Sequence, residues 1–358
     1  MRFSSLAFSC LFAASLMAAP DQAPLRLSVA GLVHGHVDGF FKAVKGRTDV
    51  QIVGIFDPDR DLQKMYAAKY GFAGELFFTD VEAMLAQTRP EAVAIFTATV
   101  DHAPMVEACA KHHIDAMMEK PLAVSNLEAH RIQSAARTSG IQVIVNYETT
   151  WYRSHRAMWQ FMKEHGAAGS IRKMVAMDGH QGPKEINVGP EFLAWLTDPV
   201  KNGAGALFDF GCYGANLMTW MMDNQRPTSV TATLQTFKPQ IYGRVDDEAN
   251  VLVEYPRAVG IIQGSWNGPY SRKDFEVYGE RGYAYAIGGN TLNTATGQLK
   301  LEDLPEDEHD SVSYLKAVAR GKLKPAGLSS LENNMIVVEI LEAARESART
   351  GKAVRLTP

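Results

Sequence analysis

Lys120, Asp209 and Tyr213 are side chains of the types that handle a substrate oxygen, and each stands where the local sequence would aim it into a site. Lys120 lies in Glu119-Lys120-Pro121, directly after a β-prone run at 115–118. At the carboxyl end of a parallel strand a lysine faces the crevice where ligands bind, and its ammonium can steady the alkoxide that forms when a hydride leaves. Taken alone, the same lysine reads as readily as a surface residue before a proline-led turn. Asp209 and Tyr213 are four residues apart near the start of a helix predicted over about 209–222, hence on one face. Tyr213 can then pass a proton to or from a substrate oxygen with Asp209 positioning it, and a nearby Lys120 ammonium would lower its pKa. The alternative is that Asp209 caps the helix and Tyr213 packs between domains.

A second group has the spacing of a dinucleotide site. The first β-prone run ends in Ala30-Gly31-Leu32-Val33-His34-Gly35-His36 and leads into a predicted helix. A glycine turn between strand and helix is where a doubly wound fold binds pyrophosphate, because helix N–H groups converge there. Gly31 fits G-x-G-x-x-G, but Val33 and His36 occupy the second and third glycine positions and Gly35 is displaced by one. Asp57 ends the next run, 26 residues after Gly31, where a carboxylate accepts from ribose hydroxyls and repels a 2′-phosphate. This favours NAD, with NADP open because Arg60 is near; Asp57-Pro58-Asp59 is equally a turn and helix-start sequence. Downstream, 178–185 is rich in polar groups, and His180 and Lys184 there can bind hydroxyls or lie on a solvated loop. Tyr147, Trp151, Tyr152 and Trp159 can stack on a sugar, although aromatic core packing explains them better.

These residues need a scaffold. From 25 to about 147, short β-prone runs at 25–30, 51–56, 92–96, 115–118 and 142–146 alternate with helical stretches, including 104–112 and 126–139. Such alternation requires crossovers, hence a parallel sheet with helices on both faces. From 229 onward, runs at 230–236, 249–255, 259–266 and 275–278 follow one another without helices, which indicates a mainly antiparallel sheet. Ser329 with Glu332 forms a capping box, and Thr350-Gly351 closes a final helix. The expected fold is therefore α/β: a doubly wound parallel sheet over 25–147, an α/β domain with a large open sheet over 148–328, and a helix over 329–358 packing back on the core.

The order of the Gly31 turn, Asp57, Glu119-Lys120-Pro121 and Gly205-x-x-x-Asp209-x-x-x-Tyr213 resembles the Gfo/Idh/MocA (glucose–fructose oxidoreductase, inositol dehydrogenase, rhizopine catabolism) family. Thr97-Ala98-Thr99 with His102 is similar to that family's loop over the cofactor, and 275–282 to its late hairpin. The resemblance covers nearly the whole chain after the leader. It implies a Rossmann domain, a bound nicotinamide cofactor and sugar-like or polyol substrates. Lys120 would touch both substrate and nicotinamide ribose, Asp209 and Tyr213 would line the substrate site, and Thr97, His102 and Glu119 would lie along the cofactor. Most members have His where Tyr213 stands, and the altered glycine turn departs from the family pattern.

Composition narrows the alternatives. The 358 residues carry 36 Lys+Arg against 40 Asp+Glu, so no basic excess serves nucleic acid. Three cysteines and no C-x-x-C exclude a disulfide scaffold and a cysteine zinc site. No metal centre is expected: His34-x-His36 superficially suits a metal-dependent barrel, but the second half does not supply eight βα units. Arg2, an apolar run over 6–19 and small residues at its end read as a signal peptide over 1–19, so the protein is expected to be periplasmic or secreted. An exported dehydrogenase needs a tightly held cofactor or an internal redox cycle. The leading expectation is a nicotinamide-dependent oxidoreductase acting on a CH–OH group of a sugar. The alternatives are an NAD-dependent glycosidase working by transient oxidation, elimination, water addition and re-reduction, or a non-catalytic sugar-binding protein. No nucleic acid or membrane partner is expected, and the open second sheet suits a homodimer or homotetramer.

Overall fold

Residues 23–356 are described by the computed structural model; the signal peptide expected over 1–19 lies outside them. Apolar runs that lack alternation become strands buried on both faces. Six form a parallel sheet: β1 (Leu25–Ala30), β2 (Val50–Phe56), β3 (Phe77–Phe78), β4 (Ala92–Ile95), β5 (Asp115–Glu119) and β6 (Val143–Asn146), in the order β3-β2-β1-β4-β5-β6. Their crossovers are α1 (His36–Val44), α2 (Arg60–Tyr70), α3 (Val81–Thr88), α4 (His102–Lys111) and α5 (Asn126–Ser139). Local chemistry sets the limits of the helices. Asp59 accepts from Asp61 and Leu62 N–H to open α2, and Ser125 accepts from Glu128 N–H to open α5. Left-handed Gly71 and Gly140 close the same two helices. The strand order reverses between β1 and β4, so a crevice opens at their carboxyl ends.

The chain then runs through α6 (Arg153–Trp159) and a π-helical turn over Gln160–Glu164 into β7 (Ile171–Gly179). The expected strand pattern lacks β3, β7 and the four strands after residue 279. The omission of β7 matters because it is central in the second sheet, between β10 (Val259–Ser265) and β11 (Arg272–Gly279). With β8 (Ser229–Gln235), β9 (Glu248–Glu254), β12 (Tyr283–Ile287), β13 (Thr291–Thr294), β14 (Gly297–Gln298) and β15 (Val354–Arg355) it makes nine strands. Only the β7–β10 pair is parallel.

Four short or medium helices precede β8: α7 (Pro190–Leu196), α8 (Pro199–Asn202), α9 (Ala206–Asp209) and α10 (Gly211–Met221). The single helix expected over 209–222 is thus two, broken at Phe210, so Asp209 ends one and Tyr213 lies in the next. Helix α10 packs closely on the sheet because Gly214 has no side chain; a Cβ there would lie 2.8 Å from Ala176 and Ile262. A short α11 (Pro239–Tyr242) and α12 (Ser311–Ala319) follow. Val312, Leu315 and Val318 of α12 join Leu25, Leu27 and Ile55 in one buried cluster, so this late helix covers the first sheet. The last helix, α13 (Leu331–Thr350), is capped by Ser330 rather than Ser329: its side chain accepts from Asn333 N–H, and left-handed Gly351 ends the helix. Cys109 and Cys212 are free and buried, and no helix among the described residues is long and apolar enough to cross a membrane.

Candidate active site

The crevice begins at the tip of β1. Gly31 has φ +95°, and a Cβ there would lie 2.7 Å from Phe96 and Thr97, so only glycine fits. Asp57 at the tip of β2 faces inward: its carboxylate accepts from Leu32 N–H at 2.7 Å and from Asp59 N–H at 2.8 Å. Burial raises its pKa despite those bonds. The start of α1 is partly satisfied from within, since His36 N–H donates to His34 Nδ1 at 3.2 Å and Val37 N–H to the His34 carbonyl at 3.0 Å. Helix α7 of the second sheet's domain lies on this turn, with Trp195 Nε1–H donating to the Val33 carbonyl at 3.2 Å and Phe192 packed 4.8 Å from the His34 ring. Burial first, then His36, Lys120 and His102, hold His34 well below its ordinary pKa, so its imidazole is neutral. The altered glycine turn therefore leaves less room and fewer free N–H donors than a G-x-G-x-x-G turn.

Along the other side, Thr97 Oγ1–H donates to the Ala98 carbonyl, and His102 Nδ1 lies 3.2 Å from the Leu122 carbonyl. Burial drives His102 down to about 4. At the tip of β5, Glu119 accepts from Asn146 at 2.8 Å and lies 2.9 Å from His36 Nδ1. Burial opposes its charge, but His36, Asn146 and Lys120 outweigh it and keep the carboxylate ionised. His34, His36 and Glu119 bring ligand-type atoms within 4.8 Å of one another. His34 Nδ1 accepts from the His36 backbone N–H, and His36 Nδ1 lies against Glu119.

The deepest part of the crevice is built around Lys120, which is 5% exposed. Its ammonium donates to Asp209 Oδ1 at 2.5 Å and to the Asp209 carbonyl at 2.8 Å. Trp266 Nε1–H donates to Asp209 Oδ2 at 2.8 Å and fixes the carboxylate from behind. Burial pulls the Lys120 pKa down, yet the Asp209 carboxylate more than compensates and the pKa is raised. Asp209 is held low by the same pairing, again against burial. An ammonium has three N–H donors, and two are used here. The third has no acceptor among the described residues.

Tyr213 forms the floor. Lys120 Nζ lies 5.2 Å from its ring centroid, over the face rather than beside the hydroxyl. Burial raises the Tyr213 pKa well above its ordinary value, so the lowering expected from Lys120 does not occur. Its hydroxyl is a hydrogen-bond donor at neutral pH. His180 sits edge-on to Phe210 at 4.8 Å, with Nδ1 accepting from Gly182 N–H at 2.9 Å, and burial lowers its pKa. A neutral His180 thus presents Nε2–H as a donor. Lys184 is exposed on the following loop, away from this cluster.

Three further residues were not singled out from sequence. Lys273 on β11 lies 5.1 Å from the Tyr213 centroid and pairs with Glu148 at 2.6 Å. Opposite Lys273 in the sheet register is Asp178, buried, with neither carboxylate oxygen hydrogen-bonded within the protein. Burial pushes its pKa well above the ordinary carboxylate value. Lys273 and Glu148 lie 125 residues apart, and β11 meets the turn after β6 only in the folded chain.

Comparisons with known proteins place both domains in a family. Residues 29–147 match the family described as an oxidoreductase family with an NAD-binding Rossmann fold, and residues 155–285 match the GFO/IDH/MocA C-terminal domain. The chain is 20% identical to 1,5-anhydro-D-fructose reductase of Ensifer adhaerens over 329 residues, covering 86% of this chain and 92% of that one. It is 27% identical to D-apiose dehydrogenase of Paraburkholderia graminis over 318 residues, covering 83% and 81%. Among solved structures, aldose-aldose oxidoreductase from Caulobacter crescentus complexed with glycerol superposes with a TM-score of 0.77 at 17% identity, covering 93% of this chain and all of that one. With both of its domains matched in order, the chain belongs to the Gfo/Idh/MocA family of oxidoreductases.

Proposed function

We propose that this protein interconverts a CH–OH group and a carbonyl on a neutral sugar or polyol, using NAD held along the crevice at the tips of β1, β2, β4 and β5. The observation that carries this reading is the buried Lys120 ammonium, kept charged by Asp209 and left with one unused N–H. That N–H donates to the oxygen on the reacting carbon. In the reductive direction it gives its proton to the carbonyl oxygen and leaves a neutral amine, and in oxidation that amine takes the hydroxyl proton and returns it to solvent. Asp209 stays ionised throughout and positions the ammonium. The Tyr213 hydroxyl and His180 Nε2–H donate to neighbouring substrate oxygens.

The residues present fit a nicotinamide dinucleotide. Gly31 allows close backbone approach, Asp57 at the tip of β2 would meet the ribose, and Glu119 and Lys120 at the end of β5 would lie along the cofactor. When bound, the nicotinamide supplies the hydride acceptor or donor. Charge in the substrate region is balanced, with Lys120 against Asp209 and Lys273 against Glu148, so no spare cation awaits a carboxylate or phosphate. That balance favours neutral substrates, and the sugar names of the similar reductase and dehydrogenase support the same class. Export by the 1–19 segment belongs to this reading and implies a cofactor that stays bound.

A second reading rests on Asp178. A buried carboxyl without a hydrogen-bond partner, its pKa raised by burial, favours the acid form needed to expel a leaving group beside a transiently oxidised carbon. Redox-assisted glycoside cleavage would use it. Denaturing release of nucleotide from extensively washed protein, followed by product analysis with sugars and glycosides, tests both readings. Stoichiometric NAD with a ketone or lactone product supports the first, and free hydrolysed sugar supports the second. Absence of nucleotide together with no turnover on added NAD would refute both.

A further inference from the structure

Three of the five tryptophans of the chain line one cavity of about 390 Å³ outside the catalytic crevice. Trp159 and Trp220 stack with centroids 5.9 Å apart and planes at 12°, and Trp151 and Tyr314 add further aromatic surface. Neither the Trp159 nor the Trp220 indole N–H has a hydrogen-bond partner among the described residues, while the Trp151 N–H is held by Asn146 at 3.0 Å. One wall is the π-helical turn over Gln160–Glu164, closed by the His165 N–H to Gln160 carbonyl bond at 2.9 Å. Such turns are rare and recur at functional sites; here Gln160 and Glu164 both face the cavity beside Trp159. Arg156 pairs with Glu308 at 2.9 Å on the rim, and Lys324 balances Glu164, so the cavity has aromatic walls, polar edges and no net charge.

The cavity is also connected to the catalytic site. Trp151 and Leu304 are shared with a neighbouring cavity of about 650 Å³, and Tyr152 joins that one to a third, of about 320 Å³. The third is lined by Glu148 and Lys273, the pair that lies against Tyr213. A line of adjoining cavities thus runs from the Glu148/Lys273 pair beside Tyr213, past Tyr152 and Trp151, to Trp159.

We propose that this path is a substrate groove and that the Trp159/Trp220 cavity is a distal subsite for a sugar ring of a neutral oligosaccharide whose reacting ring sits at Lys120. The inference rests on the sugar-oxidoreductase reading and extends it from a single ring to a chain. A pyranose offers a flat C–H face for an indole and a rim of hydroxyls for the indole N–H groups, Gln160 and Glu164. The balanced charge excludes phosphorylated and nucleotide-linked sugars, which need an excess of cations.

The test uses the full mature chain and isothermal titration with neutral cello-, malto-, xylo- and manno-oligosaccharides of one to five rings. In at least one series affinity is expected to rise about tenfold or more with chain length. Trp159→Ala abolishes that gain while leaving monosaccharide binding and turnover unchanged, and Gln160→Ala, on the same wall, reduces it without removing a ring. Monosaccharide binding or turnover with no gain from added rings overturns the subsite and leaves the oxidoreductase reading intact. A gain unaffected by both variants overturns it as well, as does a concentration-dependent dimer that Trp159→Ala dissolves, which would assign the surface to a second copy. A length-dependent gain in a protein that neither holds nucleotide nor turns over sugar upholds the groove and refutes the redox reading instead.

Discussion

Removing the Lys120 ammonium should damage stability and activity by separable amounts. In Lys120→Met, Asp209 remains buried with only the Trp266 indole N–H on its carboxylate. Breaking a buried ion pair by deleting one partner costs about 3–5 kcal/mol, because the remaining charge is uncompensated. With unfolding entropy of about 2.1 cal/mol/K per residue, the 334 residues from 23 to 356 give about 0.7 kcal/mol/K, so the Tm falls by about 4–7 °C. Adding Asp209→Asn removes the orphan charge and should recover at least half of that loss. Turnover does not recover, because the donor to the substrate oxygen is gone; loss of one such donor costs about 10²–10³ in rate. The pH dependence has a definite sign. The raised Lys120 pKa gives stability that is present below the unfolded value near 10.4 and is lost as pH rises through the folded value. The lowered Asp209 pKa gives stability that is present above about 3.9 and is lost as pH falls through the folded value. The Tm gap between the wild type and the double variant should therefore be flat from about pH 5 to 9 and close outside it. Calorimetry across that range, with NADH formation measured in parallel, checks both parts. A Lys120→Met protein melting within about 1 °C of wild type, a double variant no more stable than the single, or full turnover without the lysine would refute the reasoning.

Three other substitutions probe the surrounding groups. Trp266→Phe removes the donor to Asp209 Oδ2 and should cost about 1.5–3 kcal/mol of stability, with slower turnover as Lys120 loses its fixed partner; unchanged kinetics would show that Asp209 needs no such support. Asp178→Asn should melt higher than wild type at pH 7–8 while losing activity. Its raised folded pKa gives wild-type stability that declines as pH rises above the unfolded value, by up to about 1.4 kcal/mol per pH unit, and the amide has no such slope; equal Tm values at pH 8 would contradict the buried protonated acid. Asp57→Ala leaves the Leu32 and Asp59 N–H groups unpaired, at about 1–3 kcal/mol each, and should narrow the preference for NAD over NADP. Titration with both cofactors measures that ratio, and an unchanged ratio would remove Asp57 from the ribose site.

Much of the scaffold was legible in the residues because its causes are local. Unalternating apolar runs such as 92–95 and 143–145 can only be strands covered on both faces, and Ser125 with Gly140 marks the limits of α5. Gly31, Asp57, Glu119 and Lys120 were recognisable because strand ends in a doubly wound sheet form the crevice, so position along the strand is enough to place them. Strands β3, β7 and β12 to β15 were missed, β3 for its two residues and β7 because Ile171–Gly179 mixes charged, apolar and glycine residues. The break at Phe210 was also missed: the sequence predicts one helix over about 209–222 with Gly211 inside it, whereas the chain bends there with Asp209 beside Lys120.

The sequence by itself determined the parallel and antiparallel halves, the strand-tip residues and the family, because periodicity, turn residues and motif order are properties of short segments. Only the tertiary structure decided the electrical state of the site. Tyr213 was expected to be acidified by Lys120, yet the ammonium lies over its ring and burial raises the hydroxyl pKa instead. Asp178, Lys273 and Glu148 meet only when β7, β11 and the segment after β6 come together, and Trp266 reaches Asp209 across 57 residues. A charge's pKa depends on what water it loses and which partners replace it, and both are fixed by packing between segments distant in the chain.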